Sequence, residues 1–151
     1  MNKNETFMIV VNPGTTTVGY SVYRNAELFK HGVIEAANSE DNNVILESLF
    51  DGILDLINSY PPSLLVYKTV PMSSSTKAYL LLQGMIMGIC VTKQIFVKFI
   101  STAEWKKILG CKGNKSQNDK LAVKYVTKKY AEKTVAIEAE AICIGESILT
   151  Q

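Results

Sequence analysis

The segment Met8–Tyr23 constrains this chain most. An apolar run from Phe7 to Val11 breaks at Asn12-Pro13-Gly14, then resumes with Val18, Tyr20 and Val22 alternating with Gly19, Ser21 and Tyr23. Proline donates nothing to a sheet ladder and glycine admits positive φ, so the break reads as a tight turn between two paired strands. The turn leaves Asn12, the last polar side chain of the first strand, at the mouth of the sheet. Taken alone, the segment is a plain hairpin.

The segments that follow give it a context. Ala26–Ala36 reads as a third strand, which makes an antiparallel meander and places His31, the only histidine, on an exposed or edge position. A polar turn over Asn38–Asn43 precedes Val44, Ile45, Leu49, Ile53, Leu56 and Ile57 at helical spacing, and Tyr60-Pro61-Pro62 ends that helix. The short apolar run Ser63–Lys68 sits between helices, as a central parallel strand does, and Lys68 ends it at the edge where Asn12 emerges. A second helix is predicted from Ser73-Ser74-Ser75-Thr76 to about Lys93. Its Gly84 and Gly88 let another backbone approach, either the underlying sheet or a second helix across a dimer contact. Ile95–Ile100 reads as a strand and Ser101-Thr102-Ala103-Glu104 as a capping box opening a short helix to Leu109. A flexible glycine–lysine loop over Gly110–Ser116 then leads to a helix from Gln117 to about Lys133. The last helix, Val135–Leu149, buries Ile137, Ala141, Ile144 and Ile148 with Glu140 beside them. Glu138 lies about 200° from Glu140 around the helix axis, so the two cannot serve one site equally. A carboxylate on the buried side of a helix needs a partner.

The 151 residues fit one domain, spanning 1–151, and the 47% apolar and 20% charged content is that of a globular protein. No apolar run approaches the ~18–20 residues of a membrane span, and Met1–Thr6 lacks a signal-peptide core. Three cysteines, Cys90, Cys111 and Cys143, are odd in number and not spaced for a metal, which reads as free thiols in a reducing cytoplasm. Charge is segregated. Between Lys98 and Lys133 ten lysines face three carboxylates, a balance of +7, leaving −5 for the rest of a chain whose net charge is +2. Such a segment either meets a polyanion or is a solvated lysine-rich helix. With Arg24 as the only arginine, bidentate reading of guanine edges is not expected; backbone and shape would dominate nucleic-acid recognition.

Four segments in this order carry a family resemblance. They are Val11-Asn12-Pro13-Gly14 with Gly19-Tyr20, then Leu64–Lys68, then Ser101–Lys107 with Gly110–Ser116, and finally Glu138-Ala139-Glu140-Ala141-Ile142-Cys143-Ile144-Gly145. Together they resemble the RuvC family of Holliday junction resolvases in its shorter, phage-like form. The resemblance implies a ribonuclease H-like α/β fold: a mixed five-stranded sheet, three strands in an antiparallel meander plus two parallel, with helices on both faces. It further implies a homodimer acting on branched or duplex DNA, no membrane, and carboxylates from the first strand, fourth strand and last helix holding two divalent ions about 4 Å apart. Such hard oxygen ligands suit Mg2+ or Mn2+. Lysines of the basic segment, Lys106, Lys107, Lys112, Lys115, Lys120 and Lys124, would hold DNA.

This chain departs from that pattern at the site. Asn12 stands in place of the first aspartate and Lys68 in place of the glutamate, while Glu140 and the neighbouring Glu138 remain. The change at position 68 alone is two charge units, each unit contact being worth about 4 kcal/mol at ~4 Å and an effective dielectric near 20. No metal is therefore expected, Glu140 and Glu138 being the ligands if one binds. Lys68 is expected either to take the vacated metal position and pair with Glu140 or to snorkel to solvent. Three functions follow: a junction-binding protein without normal nuclease activity, a weakly active Mg2+- or Mn2+-dependent junction endonuclease, or a partner-binding protein on a retired nuclease scaffold.

Overall fold

The computed structural model describes residues 4–151; of the signal-peptide reading at Met1–Thr6, the part on Met1–Lys3 lies outside the described residues. Five strands, β1 (Phe7–Pro13), β2 (Thr17–Arg24), β3 (Glu27–Glu35), β4 (Pro62–Lys68) and β5 (Phe96–Ile100), form one sheet in the order β3-β2-β1-β4-β5. The first three are an antiparallel meander, and β4 and β5 are parallel to β1. The helices are α1 (Asn42–Ser59), α2 (Lys77–Thr92), α3 (Thr102–Leu109), α4 (Asn118–Tyr130) and α5 (Ala136–Thr150).

The two-residue period of the strands divides the core in two. Ile9, Val11, Leu65 and Tyr67 face α1 and α2, packing on Leu49, Ile53, Ile57, Leu82 and Ile86. Met8, Val10, Val66 and Ile100 face the other way, onto Trp105, Ala122, Val126 and the small-residue face of α5. By the same parity Asn12 and Lys68 belong to the α5 face. Val11 pairs with Tyr67, so the next residue of each strand emerges beside the other.

Close backbone approach sets where α5 lies. A Cβ at Gly19 would stand 2.1 Å from the carbonyl oxygen of Ile137, so only glycine admits the first turn of α5 over β2. Farther along, the buried Ser21 hydroxyl donates to the Ala141 carbonyl at 2.8 Å and the Tyr23 hydroxyl to the Ile142 carbonyl at 2.9 Å. Burial of the Tyr23 ring pushes its phenol well above the ordinary range, so it remains a donor.

Several boundaries differ from the sequence expectation. Asn25 and Ala26 both take positive φ (51° and 66°), so Ala26 belongs to a two-residue hairpin turn and not to the third strand. Gly14 closes its turn through a backbone bond to Thr17 (2.7 Å) without positive φ; among the described glycines only Gly110, which ends α3, uses it. Residues 72–74 form a separate 3-10 turn, and α2 begins at Lys77 with the Thr76 hydroxyl accepting from the Tyr79 amide. The helix expected to reach Lys133 stops at Tyr130, where Ala131 turns left-handed.

Gly84 and Gly88 do not pack on the sheet. A Cβ at either would meet nothing within 4 Å, and Leu80, Leu81, Met87 and Val91 lie exposed on the same stripe of α2. Leu82, Ile86 and Cys90, on the opposite side, carry the intramolecular packing. None of the helices of the described residues is long and apolar enough to cross a membrane.

Candidate functional site

The carboxylate of Glu140 is the centre of the site. It stands on the second turn of α5, its side chain only 11% exposed, and four donors from three other elements converge on it. Lys68, at the end of β4, places its Nζ 3.1 Å from both carboxylate oxygens. Asn12, at the end of β1 and 2% exposed, donates through Nδ2 to the Ile137 carbonyl at 2.8 Å and to Glu140 Oε2 at 3.5 Å. Thr102 Oγ1 donates to Oε1 at 2.6 Å and the indole Nε1 of the buried Trp105 at 3.1 Å. Asn12, Lys68 and Glu140 therefore share one cleft, and the amide of Asn12 is oriented by two acceptors.

Thr102 and Trp105 were not named as site residues from sequence. Both follow from the capping box of α3, present as expected, with Ser101 and Glu104 bonding each other's backbone amides. That box starts α3 where β5 ends and rolls its first turn toward α5. A buried tryptophan N–H also requires an acceptor, which is the signal that would have flagged it.

Glu138 is elsewhere. Its Oε1 lies 2.5 Å from Nδ1 of His31 and its Oε2 accepts from the Val135 amide, capping α5. The other ring nitrogen of His31 lies 2.6 Å from Glu132, so this half-buried histidine on the edge strand bridges two carboxylates. Of the two acidic candidates on the last helix, only Glu140 meets Asn12 and Lys68. Burial pulls the His31 pKa down, but the hydrogen bonds and charges of Glu138 and Glu132 outweigh it and hold the pKa above its usual 6.5.

The basic segment divides as well. Lys107, Lys112, Lys115, Lys120 and Lys124 are exposed. Lys106 is not available in the same way: its Nζ is held by the Gly113 carbonyl (2.8 Å) and Asn118 Oδ1 (2.7 Å). Those bonds tie the loop over residues 110–117 to α3 and α4, where the sequence suggested a flexible segment. Cys90, Cys111 and Cys143 are free thiols.

No protein-family model matches the chain, and no curated protein matches its sequence. Solved structures do. The Thermus thermophilus RuvC structure superimposes with a TM-score of 0.70 at 14% identity, over 96% of this chain and 92% of that one. The same enzyme in complex with a Holliday junction substrate gives 0.69 at 14% identity, over 96% and 91%. The fowlpox virus resolvase in complex with substrate Holliday junction DNA gives 0.62 at 12% identity, over 95% and 97%. The fold is RuvC-like. It is the ribonuclease H-like mixed five-stranded sheet that the order of motifs implied.

The donor set does not fit the two divalent ions that the resemblance implies. An ionised carboxylate has about four lone-pair sites, and the four donors on Glu140 engage them. Asn12 turns its amide nitrogen, not its oxygen, toward the carboxylate. Among the described residues no group of three or more His, Cys, Asp or Glu side chains is placed to hold a metal ion. An ammonium stands where a cation would need anionic ligands. At 3.1 Å and an effective dielectric near 20, its attraction to Glu140 is on the order of 5 kcal/mol before desolvation of both groups offsets much of it.

Two outcomes are expected. Lys68→Met strands a buried carboxylate and should destabilise the fold by about 3–5 kcal/mol, whereas Lys68→Met with Glu140→Gln removes both charges and should lose markedly less; urea unfolding of the three proteins measures the difference. For His31, a folded pKa raised above 6.5 means that its stabilisation is complete below that value and fades as pH climbs through the raised pKa. The melting temperature of the unmodified protein should therefore exceed that of His31→Gln by more at about pH 6 than at about pH 9.

Proposed function

We propose that this chain binds branched DNA, four-way junctions in preference to linear duplex, as a homodimer, and that it lacks the metal-dependent endonuclease activity of a resolvase. One observation supports the second half: Lys68, Asn12, Thr102 and Trp105 together engage the one site carboxylate that remains. The DNA half is supported by the shared fold, by the Holliday junction substrates bound to the Thermus and fowlpox proteins, and by the exposed Lys107, Lys112, Lys115, Lys120 and Lys124. Lysine ammoniums neutralise phosphates without reading bases, so recognition rests on backbone and shape.

The outward stripe of α2 supplies the dimer contact in this reading. Gly84 and Gly88 leave open space, flanked by Leu80, Leu81, Met87 and Val91, and monomers rarely leave a contiguous apolar stripe in water. A four-way junction has two-fold symmetry, and a second copy crossing on the same stripe makes an isologous contact that closes at two.

Gel shifts at rising salt should show junction preferred over duplex, with log K falling by about 0.9 per phosphate contacted for each decade of salt. With Mn2+ present the unmodified protein should leave the junction intact, and Asn12→Asp with Lys68→Glu should restore a measurable cut. Cleavage by the unmodified protein at the rate of the restored one would end the inactive reading. In sedimentation, the unmodified protein should run as a dimer and Gly88→Glu, which plants a charge in the middle of the stripe, as a monomer.

A further inference from the structure

Lys68 has more capacity than Glu140 uses. A lysine ammonium carries three tetrahedrally arranged donors. One hydrogen bond is made, to Glu140 Oε2 at 3.1 Å, with Oε1 in ion-pair contact at the same distance, and among the described residues no other protein acceptor contacts the ammonium. The two oxygens lie too close together to engage all three tetrahedral donors, so at least one N–H points away from the carboxylate. The side chain is also the most open of the three groups that meet here, 18% exposed against 11% for Glu140, with Asn12 almost fully enclosed.

The charge of the cleft allows an anion to approach. Lys68 and Glu140 sum to zero and Asn12 adds nothing. With carboxylates at positions 12 and 68 the same cleft would present three negative charges to a phosphate and repel it unless cations intervened. Thr102 opens α3 at the site, and Lys107 stands five residues along, about 8 Å of helix rise but on the side of α3 turned away from Glu140, so the exposed lysines flank the site without lining it.

We infer that Lys68 is a phosphate anchor: an N–H that Glu140 does not engage binds one backbone phosphate oxygen of the DNA directly, in a position where the family's chemistry would require metal ions. The inference rests on the DNA-binding reading above and adds a residue and a contact to it. Glu140 acts as a positioning residue, holding the ammonium at the strand end through one hydrogen bond and an ion pair while its own charge is also satisfied by Thr102, Trp105 and Asn12.

A set of four-way junctions, each with one backbone phosphate near the crossover replaced by a neutral methylphosphonate, tests this. For the unmodified protein one replacement should weaken binding about tenfold, the range of a charge-assisted hydrogen bond. In Lys68→Met with Glu140→Gln, which leaves no unpaired buried charge, that position should become indifferent while the other sensitive positions keep their effect. Glu140→Gln alone, which retains the ammonium, should keep the sensitivity. The 15N signal of the Lys68 ammonium in the unmodified protein gives a second readout that needs no variant: it should move on addition of the natural junction and not with the critical methylphosphonate. If the double variant keeps the same sensitive position, or the ammonium signal responds equally to both junctions, the anchor is wrong and DNA binding stands. If the unmodified protein binds no junction even at low salt, the DNA-binding reading itself falls and the anchor falls with it.

Discussion

A buried carboxylate must be answered, and the way Glu140 is answered organises this half of the molecule. Its four donors come from β1, β4 and two positions of α3, so one side chain on α5 joins three other elements. Removing an ion from water costs several kcal/mol, and only convergent, well-aligned partners offset that. The geometry behind that convergence is mundane. Gly19 has no Cβ to hold α5 away from β2, the Asn12 amide holds the Ile137 carbonyl, and the capping box of α3 rolls Thr102 and Trp105 inward.

The same convergence ties the strand ends to the last helix: the ammonium of Lys68 joins β4 to α5 through Glu140, and the Asn12 amide joins β1 to the same carboxylate. Lys68 and Glu140 carry opposite charges and Asn12 none, so the sign of the charge at position 68 decides whether this contact attracts or repels. The polar network midway along β3 is separate: His31, Glu132 and Glu138 tie the edge strand to the start of α5 without contacting Glu140.

Much of this was readable before any coordinates. Alternating apolar residues predicted the meander, short apolar runs between helices predicted the two parallel strands, and Asn12 and Lys68 were placed at the same edge of the sheet. Ser101 and Glu104 announced a capping box that is present. Other features were out of reach. Lys106 looks like its neighbours in sequence, yet its ammonium is consumed by the Gly113 carbonyl and Asn118. Gly84 and Gly88 left packing on the sheet and a helix–helix dimer contact both open, because spacing along a helix does not say which side faces the core. Turn boundaries slipped where backbone conformation departed from residue type, as at Ala26 and Ala131, which take the left-handed region without being glycine.

Sequence by itself determined the order of the elements, the face on which each strand residue stands, and the chemical identity of the groups at the strand ends: one amide, one ammonium, and two candidate carboxylates on the final helix. Tertiary structure decided which carboxylate they meet. A helix turns its side chains by about 100° per residue, so the choice between Glu138 and Glu140 depends on how α5 is rotated about its own axis. That rotation is set by contacts with Gly19, Ser21, Tyr23, Thr102 and Trp105, residues far away along the chain and adjacent only after it has folded.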